Sequence, residues 1–180
     1  MPEDFELTII GKVTRGDVQA FEYIVKKYER PLFVMVGNLL KYSHKTPDLV
    51  QDVFLSAYIN LGSFDPLKGR FSSWLFTIAR NKCLNEMNRK KEICAPRQME
   101  TIQTSITPEA SLMDKEAFAT LDRALDQLPF DLRSVFVLAE FEGLSYGEIA
   151  EIEDAPVGTV KSRLARARER IRSVLKPYKG

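Results

Sequence analysis

The sequence predicts an all-α protein built as two small helical domains, residues 1–94 and 112–180, joined by an extended linker at 95–111. Three observations predict it. Apolar residues recur three and four apart through most of the chain, the spacing of one helix face. No segment alternates apolar and polar residues at the period of two that a half-buried strand requires. Residues 95–111 contain two prolines and five Ser/Thr, and so little apolar surface cannot offset the entropy of ordering.

The elements follow in order. Asp17 caps a helical segment from Val18 to Tyr42 that Pro31 interrupts, with Phe21, Ile24, Val25, Tyr28, Leu32 and Met35 on one face. Thr46 or Asp48 caps the next, whose stripe is Leu49, Val50, Val53, Phe54, Ala57, Tyr58 and Leu61; Gly62-Ser63 ends it. The loop Phe64–Gly69 precedes a third helix over Ser72–Arg89, carrying Trp74, Leu75, Ile78, Ala79, Cys83, Leu84 and Met87. Past the linker, helices are expected at Leu112–Leu128, Phe130–Glu142, Ser145–Glu153 and Pro156–Lys176.

Composition narrows the class. No apolar run approaches the roughly 18 to 20 residues that cross a bilayer. The N-terminus is acidic where a secretory signal is basic and then apolar, so a cytoplasmic protein is expected. Cys83 and Cys94, with the single His44 remote in sequence, make neither a disulfide framework nor a zinc site. The net charge of +1 conceals a strong division. Residues 66–97 hold eight Lys/Arg against two Asp/Glu, and residues 161–180 hold eight against one, which leaves −12 for the rest. Two basic islands in an acidic body suit a protein that touches a polyanion at two places.

The second island follows a sharp local pattern. Ser145 and Glu148 form a capping box that opens a short helix, Glu153-Asp154-Ala155 breaks it, and Pro156 restarts a helix. Val157, Val160, Leu164, Ala167 and Ile171 form the buried face of that second helix; Lys161, Ser162, Arg163, Arg166, Arg168 and Arg170 lie on the outer face. This is a helix-turn-helix, whose second helix enters the major groove. The planar fork of arginine suits guanine O6 and N7 or a phosphate. Lys161, Ser162, Arg163 and Arg166 are therefore assigned to bases or adjacent phosphates, and Arg168 and Arg170 to the backbone.

The segment Ala155–Arg168 resembles region 4.2 of the extracytoplasmic-function sigma factors, and Leu128–Leu138 resembles their region 4.1. The resemblance implies a C-terminal domain that reads the −35 promoter element and rests on the β flap of RNA polymerase. Asp48–Tyr58 resembles region 2.2, the docking helix for the polymerase β′ clamp, which implies contacts from Asp48, Gln51, Asp52 and Phe54. Val53, Phe54 and Tyr58 also suit a core. Lys68–Cys83 resembles regions 2.3 and 2.4, which melt DNA and bind the −10 element.

Strand opening needs positive charge for displaced phosphates and aromatic faces for unstacked bases. Lys68, Arg70, Arg80, Lys82 and Arg89 supply the charge, and Phe64, Phe71 and Trp74 the faces. By the same resemblance the loop Phe64–Ser73, with Ser72, forms a pocket for a flipped base, and Asn81 stands where the family contacts it. Trp74 shares a stripe with Leu75, Ile78 and Ala79 and so suits the core equally; Phe71, nearer the loop, is the better candidate. Substituting Asn81 or Phe71 is expected to impair opening more than initial binding.

Taken together, an alternative sigma factor is expected, with core RNA polymerase, promoter DNA and an anti-sigma factor as partners. A 17-residue linker reaches at most about 55 to 60 Å, enough to serve two separated elements. The acidic remainder suits protein partners and, in the free chain, shielding of the basic islands. A stand-alone regulator using only the C-terminal module would leave the first island unexplained. An enzyme is not expected, since the chain has no phosphate loop, metal cluster or nucleophile–base set, and no cofactor is implied.

Overall fold

The computed structural model describes residues 3–93 and 120–175, with side chains over 5–89 and 120–175. The expected linker at 95–111, Cys94, the side chains of Lys90 and Lys91, and the start of the helix expected from Leu112 lie outside the described residues. Eight helices are described: α1 Glu3–Thr14, α2 Phe21–Leu40, α3 Thr46–Ile59, α4 Phe71–Ile93, α5 at 120–126, α6 Phe130–Glu140, α7 Tyr146–Glu153 and α8 Val157–Leu175. No described helix is long and apolar enough to cross a membrane.

Helix α1 has no counterpart in the sequence expectation. Its inward face is Glu6, Ile9, Ile10 and Val13, all buried, so a carboxylate occupies the first position of an otherwise apolar stripe. The Tyr28 hydroxyl donates to Glu6 Oε1 at 2.7 Å and Lys27 Nζ donates at 2.8 Å, which satisfies the charge that burial would otherwise leave unpaired.

Asp17 does cap, but the turn it closes is a single 3-10 turn, Val18–Ala20, by accepting from the Ala20 N–H at 3.2 Å. Pro31 does not interrupt α2, which runs through it. An internal proline costs a hydrogen bond and about 3 kcal/mol. Here Leu32, Met35, Val36 and Leu39 are completely buried in the turns that follow, and their packing outweighs the loss. Helix α2 ends where Lys41 and Tyr42 adopt positive φ, and the Tyr42 ring folds back over Gly37, where a Cβ would overlap it. Helix α3 begins at Thr46 itself with no side-chain cap, so neither Thr46 nor Asp48 acts as expected there.

The N-terminal core joins α2, α3 and α4 through Tyr28, Leu32, Val53, Ala57, Leu75, Phe76 and Ala79. Phe71 opens α4 at 2% exposure, in ring contact with Tyr28 and Phe64. Phe71→Ala is expected to destabilise this module by about 3–5 kcal/mol, read as a lower urea midpoint.

In the C-terminal module α6 packs against α8 and α7, and Leu132 through Leu138 are all buried. A helix buried on every side needs cover beyond its own module, and α2 supplies it: α2 packs on α6, and α4 on α7. The two modules therefore share one continuous core and lie closed against each other.

Candidate nucleic-acid interface

The first basic surface is built around the turn before α4. Asp65 Oδ1 accepts from the Leu67 N–H at 3.0 Å and Asp65 O from the Lys68 N–H at 3.0 Å, a local turn of the kind Asp side chains favour. It sets Leu67, Lys68 and Arg70 outward. Behind them lies a recess of about 200 Å³ lined by Phe64, Lys68, Arg70, Ser73, Trp74 and Thr77 among others. Phe64 and Trp74 are half-buried, with ring centroids 5.7 Å apart. Ser73 Oγ, buried in the same wall, has no hydrogen-bond partner among the described residues. Aromatic faces, cations and an unsatisfied hydroxyl suit an unstacked base better than water.

The two aromatics differ in exposure. Phe71 is inside, holding the loop to the core, whereas Trp74 and Phe64 are half-buried at the recess. Ser72 and Lys82 are partly exposed and Asn81 is fully on the surface, accepting from Arg80 at 3.3 Å. Arg89 pairs with Glu86 at 3.0 Å.

The second basic surface is the helix-turn-helix. The capping box is complete: Ser145 Oγ accepts from the Glu148 N–H at 3.3 Å, and Glu148 Oε2 accepts from the Ser145 N–H at 2.9 Å. Asp154 ends α7 in the left-handed region at φ 48, and Pro156 precedes α8, accepting from the Thr159 N–H at 2.8 Å. Val160, Leu164, Ala167 and Ile171 face inward as expected, while Val157 is 41% exposed and is not core.

The outer face of α8 divides. Lys161 lies 5.8 Å over the Tyr146 ring; Ser162 is exposed and donates to Thr159 O. Arg166 and Arg170 are exposed and make no ion pair with the described residues. Arg168 pairs with Glu140 at 2.6 Å. Arg163 instead turns inward, to Asp131 at 3.4 Å and Glu153 at 3.3 Å.

Glu142, just past α6, has its carboxyl pushed up to about 7 by burial. A carboxyl raised in the folded state stabilises fully below its unfolded pKa, and the stability is lost as pH rises from about 4.5 through about 7. Glu142→Gln is therefore expected to gain about 1 kcal/mol over the parent at pH 8, a value discounted for solvent screening of a half-buried group. At pH 4 the two should melt alike.

The two modules match separate family descriptions, Sigma-70 region 2 over residues 24–93 and Sigma-70 region 4 over residues 118–171. The chain is 33% identical to the ECF RNA polymerase sigma factor SigW of Bacillus subtilis, over 93% of this chain and 95% of that one. The chain belongs to the extracytoplasmic-function sigma factors. It is 32% identical to the RNA polymerase sigma-H factor of Pseudomonas aeruginosa, with 98% and 97% covered. Among solved structures it is similar to the sigma factor RpoE in complex with the anti-sigma factor NepR from Bartonella quintana (TM-score 0.75, 30% identity, 87% and 96% covered). It also resembles CnrH in complex with the cytosolic domain of CnrY (TM-score 0.72, 25% identity, 94% and 96% covered).

In this sigma factor the expected docking residues Asp48, Gln51 and Asp52 stand exposed on α3, whereas Phe54, at 8%, belongs to the core. Beside the acidic group the same helix exposes Leu55 at 57%, Tyr58 at 37% and Ile59 at 69%. Leu55 and Ile59 lie off the apolar stripe read from the sequence, and that was their available signal: large apolar residues on the face a lone helix would give to water.

Proposed function

We propose that this sigma factor docks on core RNA polymerase through the exposed face of α3, with Asp48 and Asp52 as an acidic rim, joined by the polar Gln51, beside Leu55, Tyr58 and Ile59. An apolar row with an acidic border suits a basic helical partner such as the β′ clamp. The β flap is assigned to the C-terminal module. The −10 element is read at the recess, where Phe64 and Trp74 take the unstacked base, Ser72, Ser73 and Asn81 offer polar contacts, and Lys68, Arg70, Arg80 and Lys82 hold the displaced phosphates. The −35 element is read by α8, with Lys161, Ser162, Arg163 and Arg166 toward the bases and Arg168 and Arg170 toward the backbone.

The observation that carries this reading is the pairing of two basic DNA-facing surfaces, one a recess and one a helix-turn-helix, on modules that match regions 2 and 4. The chain works in the cytoplasm, where the polymerase is. An anti-sigma factor is the expected regulator, since both similar solved structures hold a bound partner, one of them named as an anti-sigma factor. Co-purification with sigma-free core polymerase tests the reading: stable capture is expected, and failure of the folded chain to bind its native core would favour a stand-alone regulator.

A further inference from the structure

Among the described residues, Glu153 alone pairs with an arginine of each surface assigned to DNA. Its side chain is completely buried, at the end of the first helix of the helix-turn-helix. It accepts from the Ser134 hydroxyl, from Arg80 Nη2 at 3.2 Å and Nε at 3.4 Å, and from Arg163 Nη1 at 3.3 Å. Arg80 belongs to the −10 surface and Arg163 to the −35 surface. Two further carboxylates of α7 extend the seam. Glu148 pairs with Arg70 at 2.9 Å, and Glu151 lines the recess beside Gly69. Glu148 and Glu153 thus engage Arg70, Arg80 and Arg163, guanidiniums that can bind a carboxylate or a phosphate alike.

We propose that Glu153 is a latch that closes the two modules by holding one arginine of each DNA surface, Arg80 and Arg163, so that freeing one frees the other. The proposal rests on the functional reading above and names the regulation of that same site. Removing the carboxylate charge leaves Arg80, its side chain 14% exposed, without a carboxylate partner and Arg163 with Asp131 alone, and the closed form loses an ionic restraint between the modules. One carboxylate serving two arginines also couples the surfaces: DNA that takes Arg163 weakens the hold on Arg80, and by linkage the reverse holds equally.

Arg133 opposes the latch. From α6 it enters the neighbouring module at 1% exposure and donates from Nη2 to Leu39 O at 2.9 Å, at the end of α2. Its Nε and Nη1 find no hydrogen-bond partner among the described residues, and Asp126 stands 3.8 Å from Nη1. A buried cation with unmet donors disfavours the closed form. Opening returns it to water. The latch is therefore balanced against a built-in cost, and the two residues should respond to substitution in opposite directions.

Small-angle scattering of the full chain, with circular dichroism as the fold control, tests this. The closed parent should show a radius of gyration of about 16 Å. Glu153→Gln should expand by several ångströms at unchanged helix content, and bind an arbitrary 30-base-pair duplex on the order of tenfold more tightly. Arg80→Gln, which releases the latch from the other module, should expand likewise and decides the matter should Glu153→Gln not fold. Arg133→Met should stay closed and bind the duplex no more tightly than the parent. An extended parent, or a folded, unexpanded Glu153→Gln or Arg80→Gln, overturns the latch. The sigma-factor reading is judged separately by capture of core polymerase, which none of these scattering results alters.

Discussion

Replacing Leu55 and Ile59 together by glutamate should abolish transcription supported by this sigma factor while leaving its helices intact. Both side chains are more than half exposed, so neither contributes appreciably to the core, and charge at these positions costs folding little. At an interface the balance is different. A buried apolar anchor is worth about 2 kcal/mol or more, and two introduced carboxylates must also be desolvated beside the acidic rim of Asp48 and Asp52. Affinity for core polymerase should fall by about 1,000-fold or more, measured by fluorescence titration of a labelled chain. Phe54→Ala makes the instructive contrast: buried at 8%, it should lower thermal stability first and affinity only as a consequence. Undiminished binding by the folded Leu55/Ile59 double variant would move the docking surface off α3.

Charge reversal at Arg166 should reduce transcription from promoters that depend on a −35 element by about 10- to 100-fold, the range for a lost base or phosphate contact at 1–3 kcal/mol. Arg166 is the cleanest position on α8, being exposed and unpaired among the described residues; its loss disturbs no internal bond. Arg163→Glu removes an expected DNA contact but also reverses charge beside Glu153 and Asp131, so its free chain should open as well as bind DNA less well. Unchanged promoter affinity of holoenzyme carrying Arg166→Glu would take that residue out of the recognition surface. At the −10 surface Trp74→Ala now carries the test of strand opening first framed for Phe71, because a Phe71 variant would lose stability and opening together.

The helix-turn-helix was legible because its signals are local. Ser145 with Glu148, Asp154 before Pro156, and Val160, Leu164, Ala167 and Ile171 at helical spacing each specify backbone geometry within one or two turns. The two basic islands were legible because charge density needs no knowledge of contacts. The errors have local causes as well. Helix α1 escaped notice because Glu6 sits in its apolar stripe, where only the distant Tyr28 and Lys27 make a carboxylate tolerable. Pro31 was read as a break because propensity weighs against it, and tertiary packing overrode that preference. The interior position of Phe71 and the half-buried one of Trp74 were hidden because the phase of a helix cannot be set at its first turn from sequence spacing alone.

The closed arrangement of the modules was beyond sequence reading for a different reason. Its ionic seam joins Arg70 to Glu148 and Arg80 to Glu153, residues more than seventy positions apart, and no periodicity links them. Arg133 is harder still. A lone arginine on an amphipathic helix is ordinarily set toward water, and only the presence of α2 against α6 turns that position into an interior one.

As an alternative sigma factor, this chain directs RNA polymerase to promoters with two spaced elements. The most direct measurement is to mix the purified chain with its native sigma-free core polymerase on its own genomic DNA and sequence the 5′ ends of the transcripts. Discrete start sites sharing two upstream motifs at a fixed spacing are the predicted result. A folded chain that gives no specific start sites with that core, in the absence of any inhibitor, would contradict it.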